Sequence, residues 1–253
     1  DEIPANPEEQ YPVILFVDTF NRYFEPENLR SAVRVLRNAG YQPFYPEPEG
    51  KSQKALCCGK THLSVGNISK AREYAERLVK TYLPYVRMGL PIVGLEPSCL
   101  FALKDEIPSL LKTQDAKLVS ENIFTFEELL SKSSKFLKLK PLKAKALLHG
   151  HCHQKAFNVL NSVENVLHLI EELEVEKIET SCCGMAGAFG YSKETIDFSI
   201  KMAENVLLPK IRQSEEETIL IADGTSCRSQ IIYGTEREAI HVARLLDRQL
   251  MNN

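Results

Sequence analysis

The sequence predicts an α/β fold of two duplicated halves, each a small, mainly parallel sheet flanked by helices. Short apolar runs alternate with segments of helical periodicity along the 253 residues, which is typical of parallel sheets covered by helices. The order of these segments is the same in both halves. A Cys-Cys-Gly triplet followed by a later cysteine also occurs twice, as Cys57-Cys58-Gly59 with Cys99 and as Cys182-Cys183-Gly184 with Cys227. Duplication is the simplest explanation of this repeat.

In the first half, the predicted elements are a strand at 12–17, a helix at 28–40, a strand at 41–45, a helix at 70–86 and a strand at 91–96. The run PVILFV is short and apolar, as buried strands are. Gly40 is a typical helix stop, and Ser69 is expected to cap the helix that follows it.

The second half repeats this order. Its predicted elements are a strand at 145–150, a helix at 161–173, the segment VEKIETS leading into the second triplet, a helix at 194–211, a strand at 218–224 and a helix at 237–250. A polar, Lys-rich stretch at 131–145 is interpreted as a linker between the halves. The predicted domains are therefore 1–135, with an incomplete set of cysteines, and 141–253, with a set of four.

Composition excludes several classes of function. The 31 Lys and Arg residues nearly balance the 34 Asp and Glu residues, so no nucleic-acid surface is expected. No apolar run approaches the ~20 residues that a transmembrane helix needs. Seven cysteines cannot all pair in disulfides, and a chain of this size needs none. A reducing, cytoplasmic compartment with metal-binding or redox cysteines is expected.

The candidate metal ligands are Cys152, Cys182, Cys183 and Cys227. Thiolates bind iron–sulfur clusters and zinc alike. Cys152 and Cys227 each follow a predicted strand, at the edge where open α/β sheets form their ligand sites. Two adjacent side chains reach different irons of a cluster more easily than a single tetrahedral ion. The vicinal pair therefore favours a cluster, and zinc stays open.

The neighbours of these cysteines suggest supporting roles. Gly184, Gly187 and Gly190 allow backbone amides to approach cluster sulfides, although a loop that simply needs glycine, or a nucleotide-binding loop, is an alternative. Histidines 149, 151 and 153 alternate around Cys152, as cluster neighbours or as capping or solvent-facing residues. The predicted surroundings of the metal ligands are His151, His153, Gly184 and Arg228. Gln154, Lys155 and Arg228 are candidate donors to a cluster or an anion, but a surface role is expected for each.

The first half lacks an early cysteine, since Asp18 or Thr19 stands where it would be. Cys57, Cys58 and Cys99 therefore have two interpretations. They hold a metal together with water, Asp18 or a substrate, or they pack as small apolar residues.

These motifs resemble the cysteine-rich CCG domain of heterodisulfide reductase subunits and of the iron–sulfur subunits of glycolate and lactate oxidation. The segments HGHCHQK, SCCGMAGAFGY and ADGTSCRSQI are most similar to the C-terminal iron–sulfur part of FAD-linked 2-hydroxyacid dehydrogenases. The resemblance implies a [4Fe-4S] cluster, cubane or noncubane, with zinc in some relatives. The family motif often ends in Cys-x-x-Cys, and Gly224 stands at the earlier of these positions here.

The resemblance implies an electron-transfer module of a flavin-dependent 2-hydroxyacid oxidoreductase of the lactate or glycolate type. Its expected partners are a flavoprotein domain or subunit and other iron–sulfur subunits, which can hold it at the inner face of the membrane. A zinc-binding structural or assembly module and a thiol–disulfide reductase subunit of the heterodisulfide type are the alternatives.

Overall fold

The computed structural model describes residues 10–47, 55–133, 137–180 and 182–251. The chain divides into two compact units, Asp1–Leu137 and Lys138–Asn253. The domain boundary predicted near residue 135 lies outside the described residues, as do the first and last residues of the chain and Ser181. No helix among the described residues is both long enough and apolar enough to cross a membrane.

The first unit contains four strands and eight α-helices among its described residues. In chain order they are β1 Tyr11–Leu15, α1 Thr19–Tyr23, α2 Pro26–Asn38, β2 Tyr41–Phe44, α3 Lys60–Ser64, α4 Ile68–Arg87, β3 Ile92–Gly94, α5 Pro97–Phe101, α6 Ile107–Leu111, α7 Gln114–Glu121, β4 Ile123–Thr125 and α8 Phe126–Ser133. A π-helical turn, Ala102–Glu106, joins α5 to α6.

The second unit has the same plan. Its elements are β5 Ala144–Leu148, α9 Cys152–Ala156, α10 Leu160–Leu167, β6 Leu173–Lys177, α11 Ile196–Glu204, α12 Leu207–Gln213, β7 Ile219–Ile221, α13 Thr225–Thr235, β8 Ala239–Ile240 and α14 Val242–Gln249. A short 3-10 turn, Phe189–Tyr191, precedes α11.

Both sheets are parallel and share one topology. The strand order is β2-β1-β3-β4 in the first unit and β6-β5-β7-β8 in the second. In the first unit Ile14 pairs with Ile92, and in the second Ala146 pairs with Ile219. The prediction of two duplicated α/β halves with parallel sheets is confirmed. In both sheets the strand order reverses beside the first strand, and open α/β folds bind ligands at such a point.

Each unit has its own core between sheet and helices. Ile14, Leu78 and Ile92 are fully buried in the first unit, and Leu208, Leu220 and Ile231 are buried in the second. Cys58 and Cys99 belong to the first core, and Cys183 and Cys227 to the second. These cysteines are therefore shielded from solvent by apolar side chains.

Several details differ from the sequence prediction. Asn67, not Ser69, caps α4, because its side chain accepts a hydrogen bond from Lys70 N. The helix predicted at 194–211 is two helices, since Pro209 has no N–H to continue the ladder from Asn205. Ala239–Ile240 is a strand rather than the start of the last helix. The three-residue strand β4 was not predicted, and at 131–145 the chain is helical through Ser133 and extended from Ala144.

Candidate metal centre

In the second unit, three chain segments bring cysteines to the carboxyl edge of the sheet. Cys152 begins α9, four residues after β5 ends. Cys227 lies in the first turn of α13, directly after β7, and Cys182 and Cys183 follow β6. Because β5 pairs with both β6 and β7 in parallel, the three segments leave the sheet side by side.

The thiols of the second unit form a continuous chain of contacts. Cys152 shares a hydrogen bond with Cys182, Cys182 with Cys183, and Cys183 with Cys227. Sharing these protons lowers the pKa of Cys182 and of Cys227 and raises the pKa of Cys152 and of Cys183. Cys183 and Cys227 are buried, and Cys152 and Cys182 are half-buried. Thus the four predicted ligands form one cluster of thiols.

His149 faces the buried end of this cluster. Its side chain is only 2% exposed, and neither ring nitrogen has a hydrogen-bond partner that satisfies normal geometry. A ring nitrogen of His149 and the sulfurs of Cys183 and Cys227 all lie within 4.8 Å of one another. The ring also lowers the pKa of Cys227, after the larger effect of the hydrogen bond from Cys183. An unsatisfied buried imidazole is costly unless something fills the space that it faces.

His151 and His153 flank Cys152. The distances from Cys152 Sγ to Nδ1 of His151 and of His153 are 3.9 and 3.6 Å, and the two rings stack with centroids 5.1 Å apart. His151 also caps α9, because its Nδ1 accepts a hydrogen bond from His153 N at 3.2 Å. The alternation of histidines in the sequence thus places two of them directly against a cysteine.

The glycines of the loop at 184–190 differ in their surroundings. Gly184 has a φ of +89°, and its N–H donates to Cys182 Sγ at 3.3 Å. A Cβ at this position would lie 2.1 Å from the carbonyl oxygen of Ser199. Gly187 also has a positive φ, but a Cβ there would meet no atom within 4 Å. The N–H of Gly184 is therefore directed at a cysteine sulfur, and its approach to a cluster sulfide stays a prediction.

Three further polar side chains beside the site have protein partners. Gln154 Oε1 accepts from His151 N at 3.0 Å, and its Nε2 donates to Asp223 Oδ2 at 2.9 Å. Lys155 Nζ donates to the carbonyl oxygen of Thr180. Arg228 is buried on α13, and its Nη1 donates to the carbonyl oxygen of Ala222 at 2.7 Å. Gln154 and Arg228 thus brace the ends of the strands, and the expectation that they are surface residues is wrong.

Sequence reasoning missed Asp223 and Ser199. Asp223 is buried and joins α9 to α14 by accepting from Gln154 and from Val242 N. Its signal is an acidic residue placed at the end of an apolar strand. Ser199 is buried and supports the glycine loop, since its hydroxyl donates to Met185 Sδ at 3.9 Å, but a lone serine in a helix carries no pattern that marks it.

The first unit repeats this arrangement without a fourth thiol. Thr19 begins α1, as Cys152 begins α9, and its hydroxyl donates to Cys57 Sγ at 3.8 Å. Asp18 is not free to bind a metal, since its carboxylate accepts from Phe20 N, Asn21 N and the Asn21 side chain. Cys57, Cys58 and Cys99 are joined by shared hydrogen bonds, as the thiols of the second unit are, and among the described residues neither unit brings three thiols within 4.8 Å of one another.

Burial raises the pKa of the thiols in the first unit. The hydrogen bond with Cys58 and burial together raise the pKa of Cys57. For Cys58, the hydrogen bond from Cys57 lowers the pKa, but the bond to Cys99 and burial raise it well above its usual value. The pKa of Cys99 is lowered by its bond with Cys58 and raised overall by burial and by the carboxylates of Asp18 and Glu96. These surroundings disfavour thiolates.

The two cysteine arrangements correspond to a known family. The sequence profile of the CCG cysteine-rich domain matches residues 19–104 and again residues 146–232. The chain belongs to the CCG cysteine-rich domain family. Each matched range lies within one unit and contains all the cysteines of that unit, so the duplicated units are two copies of this domain.

Among curated proteins, the chain is 29% identical over 245 residues to a subunit of the anaerobic glycerol-3-phosphate dehydrogenase of Escherichia coli, covering 94% of this chain and 59% of the relative. It is 24% identical to D-2-hydroxyglutarate dehydrogenase of Pantoea ananatis, covering 87% of this chain and 20% of the relative. It is also 24% identical to lactate utilization protein A 2 of Bacillus cereus, covering 94% of this chain and 98% of the relative. The chain thus spans about three fifths of the first relative and a fifth of the second.

Among solved structures, a hypothetical protein from Helicobacter pylori is similar, with a TM-score of 0.54 and 14% identity. The match covers 100% of this chain and 52% of that one. At this identity the likeness concerns the fold alone.

Proposed function

We propose that the chain is the iron–sulfur electron-transfer module of a flavin-dependent oxidoreductase that acts on a 2-hydroxyacid of the lactate or glycolate type. The observation that carries this proposal is the single cluster of four thiols at the carboxyl edge of the second sheet. Two of its relatives support the substrate class, because their names refer to the 2-hydroxyacids 2-hydroxyglutarate and lactate, whereas glycerol 3-phosphate, in the name of the third, is not a hydroxyacid. The two CCG repeats would occupy 1–135 and 141–253.

The proposed ligands are Cys152, Cys182, Cys183 and Cys227, and the proposed cofactor is a [4Fe-4S] cluster, cubane or noncubane. The donor set fits such a cluster, because it consists of thiols alone and includes a vicinal pair that can reach different irons. When bound, the cluster supplies a one-electron carrier. Apolar packing around Cys183 and Cys227 keeps water from two of the ligands, and the N–H of Gly184 already points at the sulfur of a third.

The proposed partner is a flavoprotein domain or subunit that oxidises the substrate and passes electrons to this module, with other iron–sulfur subunits accepting them. None of the seven cysteines forms a disulfide, which supports a cytoplasmic location. Attachment to the inner face of the membrane would then occur through partners.

Zinc is the second candidate, on a specific observation. His149, Cys183 and Cys227 bring one nitrogen and two sulfurs within 4.8 Å, and such mixed sets hold tetrahedral zinc. The chain would then be a structural or assembly module. The first unit, with Cys57, Cys58 and Cys99, is proposed to hold at most a weaker site, because Thr19 offers a hydroxyl in place of the fourth thiolate.

Metal analysis of anaerobically purified protein separates these functions. We expect about four irons and as many sulfides per chain, with little zinc. Cys182→Ser should lose the iron, whereas Cys57→Ser, the matched position of the first unit, should keep most of it. Stoichiometric zinc without sulfide would replace the electron-transfer proposal by the structural one.

A further inference from the structure

In the second unit, a histidine ring occupies the space where the family motif has a further cysteine. Gly224 stands where the earlier cysteine of Cys-x-x-Cys would be. A Cβ at Gly224 would lie 2.4 Å from Cδ2 and 3.2 Å from Nε2 of His151, and 3.3 Å from Cys227 Sγ. Nε2 of His151 and the sulfur of Cys227 therefore border the same space. Any side chain at 224 would displace the ring, so the glycine and the histidine depend on each other.

The hydrogen bonds of His151 determine which of its nitrogens carries the proton. Nδ1 accepts from His153 N at 3.2 Å and so caps α9. Gln154 completes a capping box at this helix start, because its side chain accepts a hydrogen bond from His151 N. A neutral imidazole whose Nδ1 accepts a hydrogen bond carries its proton on Nε2. The nitrogen beside Cys227 is therefore an N–H donor and has no lone pair to give to a metal.

The first unit provides an internal comparison. There the residue that caps the corresponding helix is Asp18, and the position that corresponds to Gly224 carries Glu96. A short cap leaves room for a side chain at 96, whereas the imidazole cap of the second unit requires a glycine at 224. At these two positions the first unit has Asp and Glu, whereas the second unit, which has four cysteines, has His and Gly.

We propose that His151 is a positioning residue whose Nε2–H donates a hydrogen bond to a cluster or ligand sulfur of the metal centre. The ring stands where the family's additional cysteine would be. Resting on the proposed function, this inference gives the centre four thiolates and one fixed donor rather than five thiolates. A hydrogen bond to a cluster or ligand sulfur disperses its negative charge and favours the reduced form. His151 thus raises the reduction potential of the centre.

The test compares three variants of the anaerobically reconstituted full chain by redox titration followed by electron paramagnetic resonance. His151→Asn keeps a side chain that caps helices well but lacks the Nε2–H. We expect its iron content to be unchanged and its reduced-to-oxidised ratio at the wild-type midpoint to fall about tenfold, a shift of about 59 mV for a one-electron couple. Gly224→Ala should shift the potential in the same direction, because the new Cβ displaces the ring. His168→Asn, which removes an exposed histidine of the same unit, should have no effect.

Pulsed measurements of the reduced centre add a signature that a purely structural role would not produce. The wild type should show weak couplings to several histidine nitrogens, because His149 and His153 also lie beside the thiols. All of these couplings should be retained in His168→Asn, and the one from His151 should be lost in His151→Asn. Unchanged potentials in both His151→Asn and Gly224→Ala would refute the inference while leaving an iron-binding module intact. A strong coupling typical of a coordinated nitrogen, or loss of iron from His151→Asn alone, would show that His151 is a ligand. Failure of the wild type to bind iron would instead refute the proposed function.

Discussion

Replacing Gly184 by alanine should destabilise the protein more than the same replacement at Gly187. Gly184 ends the second triplet and Gly187 follows three residues later, with φ of +89° and +68°, so both variants incur backbone strain. The two positions differ in the room available for an added Cβ. A Cβ at 184 would lie 2.1 Å from Ser199 O and 2.9 Å from Ser199 C, whereas a Cβ at 187 would meet nothing within 4 Å. The obstacle is backbone of α11, which a rotamer change cannot remove.

The magnitude follows from these two terms. A left-handed alanine costs about 1–2 kcal/mol, and this is the whole expected loss of unfolding free energy for Gly187→Ala. Overpacking adds about 1–3 kcal/mol at 184. Ser199 O also accepts from Gln230 Nε2 at 3.2 Å, so a shift of the carbonyl that relieves the clash weakens a buried hydrogen bond. We expect a loss of about 2–5 kcal/mol for Gly184→Ala.

Urea unfolding of the metal-free protein, followed by circular dichroism, measures the difference. With a slope of about 2 kcal/mol/M, the midpoint of Gly184→Ala should fall about 1 M below that of Gly187→Ala. Equal midpoints would show that the loop relaxes away from α11, and the argument from the Ser199 carbonyl would be wrong. Iron content gives a second comparison, since only the N–H of Gly184 is directed at Cys182 Sγ.

Three other predictions concern ligands and stability. Cys152→Ser should lower the iron content to well below about four per chain, because a lost thiolate leaves an iron open to solvent. Cys99→Ser should lower it much less. Equal losses in anaerobic iron assays would refute the asymmetry between the units. Thr19→Cys should raise the iron bound on reconstitution, since the hydroxyl of Thr19 already contacts a thiol, and unchanged iron would show that a fourth thiol is not sufficient there. Arg237→Ala should lower the free energy of unfolding by about 1.5–3 kcal/mol, because the guanidinium donates to the carbonyl oxygens at 211, 216 and 218. The exposed Arg248 should tolerate alanine. Similar thermal midpoints for the two variants would contradict this prediction.

Much of the architecture was predictable because it follows from periodicity. The buried strands β1 and β5 are apolar runs, and α2 is amphipathic with Pro26 in its first turn. The strands that were missed are short. Ile123–Thr125 and Ala239–Ile240 have too few residues to show a strand period, so only their pairing with β3 and β7 identifies them.

The candidate site was predictable in its membership but not in its internal geometry. The offset between the two Cys-Cys-Gly triplets is visible in the sequence, and it indicates which cysteines correspond. Contacts such as the one between Gly224 and His151 join residues that are far apart in the chain. The packing of two strand ends brings them together, and no local pattern records it.

The two repeats differ in the charges around their thiols as well as in their number of thiols. In the first unit the carboxylates of Asp18 and Glu96 act on Cys99 and raise its pKa, in addition to the effect of burial. In the second unit the corresponding residues are a neutral His151, whose Nε2–H borders Cys227 Sγ, and Gly224, so neither position carries a negative charge. A cluster ligand must be a thiolate, so the carboxylates oppose metal binding in the first unit, and the imidazole, with its N–H donor, favours it in the second. The substitutions at the helix cap and at the missing cysteine position therefore act together, and restoring a thiol at Thr19 alone would leave both carboxylates in place. For this reason we expect the iron gained by Thr19→Cys to be held less tightly than the iron of the second unit, with earlier release to a chelator.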